Sequence, residues 1–219
     1  MKRTNRLTVR TLFAALLAVL LCVLTACAPA AEPLSKEEIE ALREEYPDSA
    51  GQPPMMSMRD YTFSEKVSQR DTFVYVEITG EPQFYSINLS SGGDEKPMKK
   101  GETVGSSRAA HFEYPAKVIR DANGTFKGGE KITISTPYLF FDYTPSFKAG
   151  DRIVAGIMKD EYKKTRLQFA ARCSYYVTED EHVLSCFKEL EGDEKTGLTV
   201  DGLFEEVRKA EANATKESE

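Results

Sequence analysis

The sequence lacks most of the residues from which common active sites are built. It has no tryptophan, and its 219 residues include two histidines, His111 and His182. It contains no Gly-x-Ser-x-Gly turn and no Cys-x-x-Cys pair, which are the local signatures of many serine hydrolases and zinc sites. We therefore expect no catalytic residues, no metal site and no cofactor. A hydrolase that uses one of the two histidines stays open as an alternative.

Apart from its N-terminus, the chain has no long apolar run. Four basic residues lie within the first ten positions, and the uncharged segment from Thr11 to Ala26 follows them. A basic start followed by an apolar stretch is typical of a secretory signal peptide. The sixteen residues are fewer than the roughly 20 that span a bilayer as a helix. We predict a cleaved signal peptide over residues 1–26.

The end of this apolar run carries a short motif. Residues 24–27 read Leu-Thr-Ala-Cys, an aliphatic residue and two small residues before a cysteine, which resembles the lipobox of bacterial lipoproteins. The resemblance implies that Cys27 receives a diacylglycerol, becomes the new N-terminus and anchors the protein to the extracytoplasmic face of the cell membrane. The alternative is an ordinary secretory peptide that is cut near Ala30 or Ala31.

The negative charge of the chain disfavours two classes of partner, nucleic acids and anionic lipids. The formal net charge is −6, and removal of the four basic residues of the leader makes it −10. An acidic chain is repelled by phosphate backbones and by anionic lipid headgroups. We expect no nucleic-acid partner and a membrane contact through the lipid alone, while the protein or small-molecule partner stays unknown.

The first part of the mature chain is predicted to be helical. Residues 27–34 form an Ala- and Pro-rich tether, and residues 35–71 form a helical lead-in with a proline-rich loop. Each of two helices opens with a capping box, in which a hydroxyl residue precedes a glutamate by three positions. The boxes are Ser35 with Glu38 and Thr62 with Glu65.

From residue 72 onward the apolar residues alternate with a period of two, as they do in β-strands. We predict one β domain over residues 72–212, which ends in an amphipathic helix, and a disordered tail over 213–219. The polar, glycine-rich residues 90–108 are expected to be a mobile loop.

Two turns inside this domain carry a second resemblance. Lys127–Glu130 reads Lys-Gly-Gly-Glu before an alternating strand, and Lys148–Asp151 reads Lys-Ala-Gly-Asp before another. This order resembles small lipoproteins of Gram-positive bacteria and the OB-like barrels of the netrin and tissue-inhibitor-of-metalloproteinases type. It implies a mainly β (α+β) fold, an OB-like barrel or closed antiparallel sheet with short helices at both ends. Those inhibitors act through a free N-terminal cysteine, whereas Cys27 would be acylated, so no inhibitory residue is carried over.

Two cysteines, Cys173 and Cys186, belong to the β domain. An even pair in an oxidising compartment favours a disulfide. A hairpin with the two-residue loop Glu179–Asp180 would set the two cysteines directly opposite each other, and a slip of one residue would make them diagonal neighbours. A zinc site that also uses His182 is the disfavoured alternative.

The aromatic segment after residue 137 is the candidate binding surface. Its residues are Tyr138, Phe140, Phe141 and Tyr143. Closure of one end of the barrel is the competing and favoured interpretation, because the chain has no tryptophan to fill that space. The expected function is non-enzymatic, that of a binding, adaptor or envelope lipoprotein. The alternatives are a small-molecule or glycan-binding lipoprotein, a protease-inhibitor-like module and a hydrolase.

Overall fold

The computed structural model describes residues 32–49, 59–89, 94–160, 163 and 166–217. Residues Pro33–Glu219 form one compact unit. Within the described residues the helices are α1 (Lys36–Leu42), α2 (Phe63–Ser68) and α3 (Val200–Glu217), with a 3₁₀ helix at Tyr138–Tyr143. The strands are β1 (Thr72–Ile78), β2 (Gln83–Asn88), β3 (Glu95–Pro97), β4 (Arg108–Asp121), β5 (Lys131–Pro137), β6 (Arg152–Lys159), β7 (Arg166–Val177) and β8 (Val183–Ser185).

Five of these strands close into a barrel. Their order is β1-β6-β7-β5-β4, and β4 pairs back with β1. The pair β5–β7 is parallel, and the other four barrel pairs are antiparallel. This five-stranded Greek-key arrangement is that of an OB-like barrel. The predicted fold class is therefore confirmed.

The barrel interior follows from the alternation in the strands. On β1, Val74, Val76 and Ile78 are fully buried in the barrel core, while Phe73 and Tyr75 face outward. The other barrel strands contribute to the core in the same way, and Phe141 and Phe147 from the β5–β6 connection complete it. Successive side chains of a strand point to opposite faces, so one pattern supplies two apolar layers.

The outward layer is covered by helices. Phe73 and Tyr75 pack with α2 and α3 in a second apolar cluster. Helix α3 presents a stripe of four residues, each at most 3% exposed. They are Val200, Leu203, Phe204 and Val207, the stripe that the helical spacing predicts.

Both predicted capping boxes are formed. The Ser35 and Thr62 hydroxyls accept from the backbone N–H three residues on, and Glu38 and Glu65 accept from the backbone N–H of the capping residues. The prediction of a disordered tail over 213–219 is wrong for its described part, because α3 continues to Glu217. Alanine, glutamate and lysine in this stretch favour the helix.

The prediction that residues 90–108 form a mobile loop is wrong for part of this range. Residues 90–93 lie outside the described residues, but Glu95–Pro97 forms β3 and pairs with β2. The β2–β3 hairpin thus extends the sheet beyond the barrel along β4. The predicted signal peptide and the predicted lipidation site, Cys27, also lie outside the described residues.

Candidate functional site

A buried ionic cluster lies on the outer face of β4 and its neighbours. Glu113 alternates on β4 with the core residues Phe112 and Tyr114, so its carboxylate points away from the barrel interior. Arg166, the first residue of β7, donates from Nε to Glu113 over 2.6 Å and from Nη2 to Glu95 over 3.1 Å. The Arg166 side chain is 1% exposed.

Aromatic and hydroxyl groups complete the ionic cluster. The Arg166 guanidinium lies 3.9 Å from the centroid of the Tyr85 ring, and that ring stacks on His111 at 5.4 Å between centroids. The Tyr85 hydroxyl lies 2.5 Å from Ser135 Oγ. Arg166, Tyr85 and Glu113 thus each have a polar partner, as buried polar side chains require.

These contacts fix the protonation states in the ionic cluster. Burial opposes the charge of Arg166, but the hydrogen bonds that Arg166 donates to Glu95 and Glu113 together outweigh burial and raise its pKa. The hydrogen bond from Arg166 lowers the pKa of Glu95. Burial raises the pKa of Tyr85 to about 12, and burial followed by the charge of Arg166 lowers the pKa of His111. Arg166 is therefore charged, and His111 is neutral at pH 7.

The position of the ionic cluster matters for function. In OB-like barrels the second and third barrel strands, together with the loops after the first and fourth, commonly bind oligonucleotides or oligosaccharides. Here those two strands are β4 and β5. The β2–β3 hairpin brings Glu95, and the start of β7 brings Arg166, onto this face. The usual ligand face of the fold is thus filled by the protein's own ionic cluster.

A more open site lies between the C-terminal end of α1 and the C-terminal end of β7, and we call it the tyrosine cleft. Its volume is about 640 Å³, within the roughly 300–1,000 Å³ of small-molecule sites. Its lining combines aromatic, proline and charged side chains with small ones. They are Glu45, Tyr46, Pro47, Pro145, Ser146, Lys148, Gly150, Asp151, Arg152, Tyr176, Val177 and Glu179.

Two tyrosine rings define the apolar part of this cleft. Tyr46 and Tyr176 are both half-buried, and their ring centroids lie 5.6 Å apart at an interplanar angle of 56°. Behind Tyr176 lies Phe147, with 5.9 Å between ring centroids. Burial raises the pKa of both tyrosines, so both hydroxyls stay protonated at neutral pH and can donate hydrogen bonds.

The cleft is built on fixed backbone. Arg43 donates to the Tyr46 carbonyl over 3.2 Å and to the Ser185 carbonyl over 2.8 Å, which joins the end of α1 to β8. Arg152 donates to the Thr178 carbonyl over 2.8 Å, which joins the start of β6 to the end of β7. A site held in this way loses little conformational entropy when a ligand binds.

The aromatic residues that were predicted to form either a binding surface or part of the core differ in their burial. Phe141 is 7% exposed and belongs to the barrel core, where Tyr138 stacks on it at 5.7 Å. Phe140 and Tyr143 are half-buried. None of these four residues lines the tyrosine cleft. Core filling therefore accounts for Phe141 and for Tyr138 above it.

The predicted register of the cysteine hairpin is wrong. Tyr175 pairs with Ser185, and the Cys186 N–H donates to the Ser174 carbonyl over 2.9 Å, so Cys186 lies opposite Ser174 rather than Cys173. The connection has three residues instead of two, and its last one, Glu181, adopts φ 60°. Three-residue hairpin loops of this kind end in a residue with positive φ.

The expectation that a slip of one residue would leave the two cysteines diagonal neighbours is also wrong, because the observed slip separates the two thiols. A one-residue change of register moves a side chain to the other face of the sheet. Cys173 accordingly belongs to the cluster under the helices, and Cys186 belongs to the barrel core. Both cysteines are buried, and burial raises the pKa of both thiols, that of Cys186 to about 12. The disulfide stays a prediction, and this register argues against it.

The histidines lie apart from the tyrosine cleft. His111 belongs to the ionic cluster, and His182, which is 8% exposed, follows the turn at 179–181 and forms a bridge with Thr199. Across the described ranges no group of three or more His, Cys, Asp or Glu side chains is placed to hold a metal ion. In the same part of the chain, no helix has the length and apolar character needed to cross a bilayer.

Comparison with family models and with curated proteins identifies no relative from which a function can be transferred. No family model matches the chain, and no curated protein matches it either.

Neither the ionic cluster nor the tyrosine cleft was predicted from the sequence. Arg166 and its partners are 53 and 71 positions apart, and the cleft combines three distant segments. The charged face of β4 was nevertheless visible as His111 and Glu113 alternating with Phe112 and Tyr114.

Proposed function

We propose that the protein is a lipid-anchored extracytoplasmic binding module without enzymatic activity, and that its ligand binds in the tyrosine cleft. The observation that carries this proposal is the pair of half-buried rings, Tyr46 and Tyr176, at the wall of a cleft whose backbone is fixed by Arg43 and Arg152. Aromatic side chains beside a few placed polar groups are typical of ligand sites.

The chemistry of the cleft supports binding rather than catalysis. Its lining contains no histidine and no cysteine, the most frequent general base and the most nucleophilic side chain of enzymes. A hydrolase that depends on either residue type is therefore not supported at this cleft. The ionic cluster is no better suited to catalysis, since the carboxylates of Glu95 and Glu113 are both engaged by Arg166.

The lipid anchor is supported by the N-terminal sequence. The basic start, the apolar run and the Leu-Thr-Ala-Cys motif at residues 24–27 follow one another in the order that export and acylation at Cys27 require. With two or more acyl chains the attachment would be stable, whereas one chain binds a membrane only marginally. A binding cleft on such a protein meets ligands of the cell envelope.

Site-specific photocross-linking in intact cells tests the proposed function. A photoreactive amino acid at Ser146, in the cleft, should give adducts that disappear when Tyr46→Ala is added. The same group at Glu205, on the exposed side of α3, is the matched control and should give none of these adducts. Adducts from Glu205 alone, or adducts from Ser146 that are indifferent to Tyr46→Ala, would show that the cleft is not the binding site.

A further inference from the structure

The polar groups of the tyrosine cleft restrict the chemistry of its ligand. Three carboxylates, Glu45, Asp151 and Glu179, line the cleft together with two cations, Lys148 and Arg152. Ionised carboxylates only accept hydrogen bonds, and lysine and arginine only donate them. A ligand that matches this lining carries many groups able both to donate and to accept, and it carries no large charge of one sign.

The apolar groups add a second restriction. The Tyr46 and Tyr176 rings are tilted by 56° and stand beside Pro47 and Pro145. An aromatic face carries negative charge density and attracts weakly positive C–H groups. A pyranose ring offers such C–H groups on its faces and hydroxyls around its rim. Stacking would place those hydroxyls beside the carboxylates and cations of the cleft.

From this double match we infer that the tyrosine cleft binds a neutral or zwitterionic oligosaccharide, with a pyranose ring stacked on Tyr46 or Tyr176 and hydroxyls bound by Glu179 and Arg152. The inference rests on the proposed function and names its ligand class. The site differs from the usual ligand face of OB-like barrels, since that face is filled by the cluster around Arg166.

A proline-rich peptide is the main competitor for an aromatic groove. Its prolines have no N–H, so its backbone in such a segment offers chiefly acceptors. The Glu179 carboxylate and the remaining acceptor sites of Glu45 and Asp151 would then face a ligand with few donors. Hydroxyls of an oligosaccharide satisfy both the carboxylates and the cations, so the lining favours the oligosaccharide.

Isothermal titration of the full chain, purified in detergent, tests this inference. The probes are the β-1,4-linked tetramers of N-acetylglucosamine and of glucose, with a decaproline peptide as the competitor. We expect at least one tetrasaccharide to bind and Tyr46→Ala to weaken its binding about tenfold, which is about 1.4 kcal/mol. Glu179→Gln should weaken binding about threefold, because it replaces a strong acceptor by a weaker one.

The matched control for Tyr46→Ala is a tyrosine variant outside the cleft. Tyr61→Ala removes another half-buried tyrosine, which contacts Arg59 outside the cleft, and should leave the affinity unchanged. Binding of neither tetrasaccharide, or binding that is indifferent to Tyr46→Ala, overturns the oligosaccharide inference. If decaproline alone binds, and does so through Tyr46, the ligand class is wrong while the cleft stands as the binding site. The cross-linking from Ser146 reports on the cleft independently of any sugar.

Discussion

Arg166 Nε lies 2.6 Å from a carboxylate oxygen of Glu113, and the two side chains are 1% and 10% exposed. Removal of one partner from such a pair leaves a buried charge without full compensation. We predict that Glu113→Ala lowers the free energy of unfolding by about 3 kcal/mol. Urea denaturation followed by circular dichroism measures this change.

Two further variants distinguish charge from packing. Arg59→Ala breaks the exposed pair with Glu65, whose side chains are 69% and 37% exposed, and should cost less than about 1 kcal/mol. The triple variant Glu95→Met, Glu113→Leu and Arg166→Met should recover much of the lost stability, since apolar residues often replace a whole buried ionic group without loss. Equal losses for Glu113→Ala and Arg59→Ala would contradict the described burial.

The Glu95 carboxylate gives the stability a defined dependence on pH. The hydrogen bond from Arg166 lowers the pKa of Glu95 in the folded state below its ordinary value of 4.5. Its contribution is therefore fully present above pH 4.5 and is lost as the pH falls through the lowered pKa. We predict that the wild type exceeds Glu95→Gln in stability at pH 7 and that this difference shrinks below pH 4.5. A difference that is constant from pH 7 to pH 3 would show that the Glu95 charge is not coupled to Arg166.

The two thiols lead to a third prediction. Cys173 and Cys186 are buried in different apolar clusters, so neither should react with iodoacetamide in the folded protein. In denaturant without reductant, both should be alkylated, with the sites located by peptide mass. A covalently linked pair of peptides that contain Cys173 and Cys186 would contradict the described register and support the disulfide.

The parts of the fold that depend on short-range sequence patterns could be predicted from the sequence. Alternation at Val74, Val76 and Ile78 marks β1 because each strand has one face in the barrel. The capping boxes at Ser35 and Thr62 mark helix starts because their hydrogen bonds span only three residues. The OB-like class came from a resemblance to known barrels, which the turns at Lys127–Glu130 and Lys148–Asp151 carried.

Features that depend on distant residues could not be read in this way. Arginine is normally exposed, so nothing near Arg166 indicated that it begins a strand and is buried between Glu95 and Glu113. The hairpin register depended on whether Glu181, a residue other than glycine, adopts positive φ. The tyrosine cleft needed the position of α1 relative to β7, which no periodicity encodes.

The proposed lipid anchor would place the barrel and its cleft at the membrane, and mass spectrometry of the mature N-terminus from isolated membranes tests this proposal most directly. We predict an N-terminal peptide that starts at Cys27 and carries the mass of a diacylglycerol, and a Cys27→Ser variant that leaves the membrane fraction. An unmodified N-terminus at Ala30, Ala31 or Glu32 would contradict the lipid-anchored location.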